Sequence, residues 1–432
     1  MLALVALLQL QAATIAPPPE DSLPIVTLGE ALRRATGLDP NYVAAVGQVD
    51  NARWARRSAF AVFLLPSLGV ETDATKNIPK FFNFGTLQPE SYAVSAQAVL
   101  RYDVFTGGQK FAELTRSAAA LDGAHAGEIL ARFGSALLTE ATYYSVLAGS
   151  ELLRVARERV QRAEQQLGVA RARVTTGAAV QTDSLQLRLE LSRARVALVQ
   201  QVAAVRVARL TLGSRVGAAG PVDAAPLDSV LPSALPMTLE AAVDEATSQG
   251  PAYRLARANE RQAAATYRSR LGTLLPRLSL SGVGIAYDNR FYPTSAKFTQ
   301  LTLTATLPIW DNFQRQTLIS QARVSRDVFR AARDSAERSV RRDLVAAYEG
   351  YTTARATVDL AAEQVQVARE NYRVQQARYR TGATTILDLL KAQSDLDDAD
   401  AAFVQARYAA RLALAGLETV LGRRLFPEPQ QK

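Results

Sequence analysis

Two periods alternate along this chain. In "FTQLTLTATLPI" the apolar residues Leu301, Leu303, Ala305, Leu307 and Ile309 take every second place, with Thr302, Thr304 and Thr306 between them. "SYAVSAQAVLRYDV" sets Tyr92, Val94, Ala96, Ala98, Leu100, Tyr102 and Val104 against Ser91, Ser95, Gln97, Arg101 and Asp103 in the same way. Period two marks a strand with one apolar and one polar face. Shorter alternations follow Pro66 (Leu68, Val70) and Pro276 (Leu278, Leu280), the latter slipping phase at Ser281 and Gly282 to Val283, Ile285 and Tyr287. The pattern predicts strands at about 66–74 and 91–104, and again at about 277–288 and 298–309, each pair joined by a polar loop bearing Asn, Pro or Gly. Strands of about ten residues with two unlike faces have the length and pattern of a membrane-spanning β-strand.

After each strand pair the period lengthens to 3.5. Leu153, Ala156, Val160, Ala163, Leu167, Ala170 and Val174 step by three and four, and Val358, Ala361, Val365, Ala368, Tyr372, Gln375 and Tyr379 do so in the second half. That is a heptad seam, with alanines that allow a close helix approach. Long helices are expected at about 108–176 and 312–381, the stretch from Lys110 to Val174 alone reaching about 95 Å at 1.5 Å per residue, followed by return helices at about 183–213 and 386–421. Gly107 with Gly108, and Asp311 with Asn312, are expected to supply the turn and N-cap that start the long helices. No later stretch reads as a transmembrane helix, since Arg, Glu or Gln breaks each apolar run.

The chain says nearly everything twice. "TLGEALRRATGLDPNYVAA" from Thr27 is answered by "TLEAAVDEATSQGPAYRLA" from Thr238, "LLPSL" by "LLPRL", and "LGSR" by "LGRR". "ARVTTGAAVQTDSL" and "ARYRTGATTILDLL" pair Gly177 with Gly382 and Asp183 with Asp388 at a constant offset of 205 residues. The organisation expected is a signal peptide at 1–16, a first repeat at 17–215, a linker at 216–236, a second repeat at 237–424 and a tail at 425–432. The leader "MLALVALLQLQAATIA" is apolar and too short to span a bilayer, with cleavage expected after Ala16, although the usual positive n-region is missing.

Composition narrows the chemistry. The 432 residues contain no Cys, one His and two Met, so disulfides and thiolate sites are excluded and soft-metal sites are poorly supplied. The formal net charge of +9 comes from Arg interleaved with Glu along helical text, which reads as solvated helix faces and argues against a nucleic-acid partner. His125 has no nucleophile or carboxylate constellation near it in sequence, and "GVGIAY" lacks the third glycine of a phosphate loop, so neither an enzyme nor a cofactor is expected.

Four two-faced strands cannot close a barrel, and an open sheet edge is not tolerated in lipid. Copies of the chain would therefore have to pool their strands: two would give eight and three twelve, and only the larger barrel leaves a clear aqueous bore. In their order along each half, "TL..A...A....P.Y", "LLP.L", a strand ending at Phe105 or Trp310, Ala347-Tyr348, "TG....D" and the terminal "LG" resemble the TolC-like outer membrane efflux protein family. The fold class the resemblance implies is mainly α with membrane β: two tandem repeats, long antiparallel coiled-coil helices forming an α-barrel, and four strands per chain in a trimeric 12-stranded transmembrane β-barrel. It implies partners too: itself as a homotrimer, a periplasmic adaptor (membrane fusion) protein, an inner-membrane pump of RND, ABC or MFS type, and outer-membrane lipid. The protein would conduct passively across the outer membrane and periplasm, and Phe105 and Trp310 would sit in the interfacial aromatic girdle.

Each "TG....D" lies where one long helix turns back into the next, the point farthest from the strands. Carried over by position, the resemblance makes this the periplasmic gate, with Asp183 tied to Tyr379 and Asp388 on an acidic ring. Two departures stand out: Thr384 occupies the place of the family's basic partner, and Lys391 that of a second acidic residue. Arg378 or Arg380 is the candidate substitute. The same Asp residues also serve, on a purely structural reading, as helix N-caps, with Tyr379 a seam residue. The alternative function is a soluble periplasmic coiled-coil scaffold or adaptor without a barrel, which would need no two-faced strands.

Overall fold

The computed structural model describes residues 23–84, 87–227, 232, 234–288 and 296–426; the expected leader and parts of the linker, of the tail and of both strand-joining loops lie outside them. The first half runs β1 (Ile25–Val26), α1 (Leu28–Leu38), α2 (Pro40–Leu64), β2 (Ser67–Asn83), β3 (Gln88–Phe105), α3 (Gln109–Thr175) and α4 (Gln181–Arg215). The second runs β4 (Asp223–Ala224), α5 (Leu239–Gln249), α6 (Pro251–Gly272), β5 (Arg277–Asp288), β6 (Ala296–Thr306), α7 (Gln314–Thr381) and α8 (Ile386–Leu421). From α1 to α4 and from α5 to α8 the order of elements is the same.

The recurring sequence pieces have local causes. Thr27 and Thr238 are the N-caps of α1 and α5, each hydroxyl accepting a backbone N–H three residues on. Pro40 and Pro251 occupy the first turn of α2 and α6, where the missing N–H costs nothing. These four shorter helices carry no heptad seam: α1 and α5 are 11 residues long, and α2 and α6 bury only scattered positions such as Val49, Ala59, Ala258 and Ala265.

α3 and α7, at 67 and 68 residues, each extend about 100 Å. In α3 the seam residues Leu153, Ala163, Leu167 and Ala170 are buried, as are Val358, Ala361, Val365, Tyr372 and Tyr379 in α7. α4 folds back along α3 and α8 along α7, while α8 also packs on α3. By length and composition α4 is apolar enough to cross a membrane, whereas the sequence pattern, broken by Arg, Glu or Gln, predicts no such helix. Here it lines α3, with Val196, Val199, Val207 and Leu210 facing solvent in one chain.

The four long strands form one antiparallel sheet ordered β2-β3-β5-β6. Leu68, Leu100, Gly282 and Leu301 stand in one cross-strand row, and Ser67, Arg101, Ser281 and Thr302 in the next. One face is therefore apolar and the other polar. The phase slip in β5 is no bulge, since its register with β6 runs unbroken from Arg277 to Tyr287. Instead the apolar face takes Gly282, Gly284 and Ala286 while Val283, Ile285 and Tyr287 turn to the other.

Strand lengths differ from the alternation. β2 and β3 have 17 and 18 residues, because pairing continues past Lys76 through an irregular register that has lost the period-two signal. β6 stops at Thr306, short of the expected 309, where Pro308 removes a ladder donor. Of the two long-helix starts, only that of α7 departs: the N-cap of α3 is Gly108, as expected, while that of α7 is Phe313, both left-handed, and the Asp311 carboxylate accepts the Arg315 N–H.

Gly107 sets how tightly this junction closes. Its φ is +61°, and a Cβ there would stand 2.1 Å from the Gly272 carbonyl oxygen at the end of α6. Both objections involve backbone, so neither can relax by a side-chain rotation. Gly107→Ala is expected to cost about 2–5 kcal/mol through left-handed strain plus overpacking. Thermal unfolding followed by circular dichroism measures it; an unshifted midpoint would mean the two chain segments are not in contact.

Midway along α3 the two halves are pinned together. Tyr143 donates its hydroxyl to the Ala225 carbonyl, 2.7 Å away. Arg215, the last residue of α4, reaches Asp39 at 2.8 Å, the Ser135 hydroxyl at 2.9 Å and the Thr139 hydroxyl at 3.1 Å. Arg424, its counterpart in "LGRR", bridges Glu140 and Glu418, each at 2.6 Å. Both arginines thus converge on one short stretch of α3, at its buried residues Ser135, Thr139 and Glu140.

Candidate functional site

The two hairpin turns at the far end of the long helices share a backbone design. Gly177 and Gly382 have φ of +76° and +79°, a region that favours glycine. Each turn closes with Ala178 N–H donating to Arg173 O, or Ala383 N–H to Arg378 O, at 2.8 Å. The return helices then start differently. α8 is capped by Thr385, whose hydroxyl and N–H both donate to the Asp388 carboxylate while the Asp388 N–H returns to the hydroxyl. In α4 the N-cap position holds Val180, whose side chain has no oxygen, and the Asp183 N–H goes to its carbonyl at 3.1 Å instead.

This one replacement separates the roles of the two aspartates. Neither is an N-cap, as the structural reading had them; both sit at the third helical position. Asp388 is exposed and spent on its own cap, accepting from Thr385 at 2.7 Å and from the Thr384 hydroxyl at 2.9 Å. Those hydrogen bonds, Thr385 first, hold its carboxyl below the usual range. Asp183 has no capping partner. Its carboxylate accepts the Tyr379 hydroxyl at 3.2 Å, across 196 residues of chain.

Tyr379 is only 4% exposed, at the end of the α7 seam where the first half carries Val174. Burial, followed by the charge of Asp183, pushes its hydroxyl above the usual phenol value. Arg378, a candidate basic partner, instead donates to Ala383 O of its own turn, and Arg380 has no hydrogen-bond or ion-pair partner among the described residues. Lys391 pairs with Asp395 one turn along α8. The basic group beside Tyr379 is Arg173, which sequence reasoning missed. It donates to the Tyr379 carbonyl, and its guanidinium carbon lies 4.9 Å from the centre of the Tyr379 ring.

A second polar level lies further up the same four helices. Asp397 of α8, buried, takes Arg162 at 2.6 Å and Arg159 at 3.2 Å from α3, and Arg159 also reaches Glu190 of α4 at 2.6 Å. Burial raises the Asp397 carboxyl, and the two arginines oppose that rise. Gln166 of α3 donates to the Tyr372 hydroxyl of α7 at 2.7 Å. Asp397 had a sequence signal: it adjoins Leu396 on the stripe of Leu389 and Gln393, a charged residue at an apolar position.

At the opposite end of the long helices, Phe105 closes β3 and Trp310 follows β6, both with large exposed surface. The Trp310 ring packs edge-on against Phe313, 4.9 Å between centres, and its indole N–H donates to Asn312. Among the described residues no group of three or more His, Cys, Asp or Glu is placed to hold a metal.

A strongly two-faced sheet at one end, coiled-coil helices about 100 Å long and a polar-lined tip at the other define a TolC-like outer-membrane channel protein with a periplasmic helical part. The chain belongs to the outer membrane efflux protein family, whose sequence model matches residues 31–218 and again 242–423. Members of that family are channels, not enzymes. It is 27% identical to protein CyaE of Bordetella pertussis over 333 residues, 73% of this chain and 69% of that one. Its fold resembles the outer membrane protein VceC of Vibrio cholerae, with a TM-score of 0.77 at 16% identity over 92% of this chain and 97% of that one. It equally resembles the CmeC outer membrane channel of Campylobacter jejuni, with a TM-score of 0.78 at 15% identity over 91% and 85%.

Proposed function

We propose that three copies of this chain form the passive exit duct of a tripartite efflux or type I secretion system. Their sheets would join as a 12-stranded barrel in the outer membrane, continuous with an α-helical barrel that meets a periplasmic adaptor and an RND, ABC or MFS pump. The observation that carries this reading is the open sheet. β2 and β6 end it with unpaired edges, and Leu68 and Leu301 on its apolar face are each 72% exposed. An edge of that kind is stable in lipid only when paired, so β6 of one copy meets β2 of the next. The exposed apolar stripe on α4 would meet the neighbouring copy likewise. On this reading residues 17–215 and 237–424 are repeats, and Phe105 and Trp310 mark the periplasmic rim of the bilayer.

The tip is then the gate, at which Asp183 and Tyr379 tie the first-repeat hairpin to the second. Asp388 and Lys391 line the entrance beside it, and Gly177 and Gly382 form the turns. Fractionation tests the assembly directly. The protein is expected in the outer membrane as an oligomer that resists mild detergent and dissociates on heating, and to give discrete conductance steps in a planar bilayer. Recovery entirely in the soluble periplasm would favour the scaffold alternative and end the channel reading.

A further inference from the structure

We infer that Arg173 is the basic member of the proposed latch, a positioning residue that acts by holding Tyr379. The inference rests on reading the tip as the gate. Thr384, which occupies the place where a basic partner was sought, is committed to Asp388 through its hydroxyl. Arg173 comes from the other repeat and reaches both turns at once.

Three contacts define its position. Nη2 donates to Ala178 O in its own turn at 3.1 Å, and Nη1 donates across to the Tyr379 carbonyl. The guanidinium lies against the face of the Tyr379 ring, and Nη2 stands 3.6 Å from where a Cβ on Gly382 would be. The repeat counterpart Arg378 makes only the first of these, to Ala383 O at 3.4 Å. It has no ring to cover, because the position matching Tyr379 is Val174.

The physical reason for a cation at this point is the meeting of two helix ends. α3 and α7 both terminate here, each exposing carbonyls without helical partners and a partial negative charge. Set side by side, such ends repel. A single delocalised guanidinium, carried on the last turn of α3, donates to a last-turn carbonyl of α7 and to the Ala178 carbonyl of the turn after α3, offsetting the repulsion while its flat face supports the phenol ring. Tyr379 is then gripped at both ends by the first repeat, its carbonyl by Arg173 and its hydroxyl by Asp183. A lysine would keep the charge but lose the fork and the stacking surface.

Single-channel recordings of reconstituted Arg173→Ala, Arg173→Lys, Arg378→Ala and Asp183→Ala/Tyr379→Phe trimers test this, with detergent-resistant migration that is lost on heating as the check on assembly. Arg173→Ala is expected to raise the open fraction by about tenfold, the size of effect that loss of a charged hydrogen bond with stacking produces. Arg173→Lys should recover part of that change, and Arg378→Ala should stay within about twofold of the parent. Equal opening by Arg173→Ala and Arg378→Ala would reduce Arg173 to a turn residue and overturn the inference. So would a parent-like Arg173→Ala beside an opened Asp183→Ala/Tyr379→Phe, and the gate reading would survive. If Asp183→Ala/Tyr379→Phe is itself parent-like, the gate reading falls and the inference with it. Should Arg173→Ala fail to assemble, Arg173→Gln decides the question by the same recordings.

Discussion

Trimers carrying Asp183→Ala with Tyr379→Phe are expected to conduct well above the parent in a planar bilayer, because the pair is the direct side-chain bond between the two hairpins at the tip. The bond runs from a buried phenol to a carboxylate at 3.2 Å. A hydrogen bond to a charged group contributes about 1.5–3 kcal/mol, and a trimer has three. Since each 1.4 kcal/mol is about a tenfold change in an equilibrium, the closed form should lose its dominance. Changing both residues matters, as removing one alone leaves the other buried group unpaired and confounds opening with local damage. The opening should stay incomplete, because the Arg173 contact to the Tyr379 carbonyl and the second polar level at Asp397 remain. Unchanged conductance would remove the tip from the list of gates.

Arg424→Ala is expected to be the most damaging single change to stability. Its guanidinium is shared between Glu140 and Glu418, both nearly inaccessible, and without it two carboxylates are buried without their cation. Breaking a buried pair in this way costs about 3–5 kcal/mol. Burial already pushes the Glu140 carboxyl up, and Arg424 draws it back down, so its loss moves that carboxyl further up. An acid whose folded pKa lies above its unfolded value destabilises the fold progressively as pH rises through that interval. The variant should therefore melt closer to the parent at about pH 5 than at about pH 8. Melting curves that differ equally at both pH values would mean the carboxylates find another cation.

The sequence announces different parts of this molecule through different signals. Period two and period 3.5 reach the strand pairs and the long helices because a repeated pattern averages over many residues. They fail where the pattern is thin: the outer part of β2 holds Lys76, Asn77, Pro79 and Lys80, and α2 and α6 turn alanines inward. The link between Asp183 and Tyr379 came through resemblance, and the structure places those side chains in contact. Arg173 and Asp397 were missed for a common reason. Each acts through a side chain that crosses to a partner more than 200 residues away; the helical period marks Asp397 as a charge on an apolar stripe but encodes neither partner. The difference between the two turns was nevertheless in view, since Val180 faces Thr385 across the repeat and only a threonine can close a capping box.

The uncovered edges of β2 and β6 have a consequence for how the protein comes into being. On the proposed assembly a newly delivered chain is an unfinished object, obliged to keep a half-greasy sheet and the apolar stripe of α4 in water until its fellow copies arrive. Scarcity of copies is then as dangerous as a bad mutation, because any other strand that arrives first can take the vacant edge.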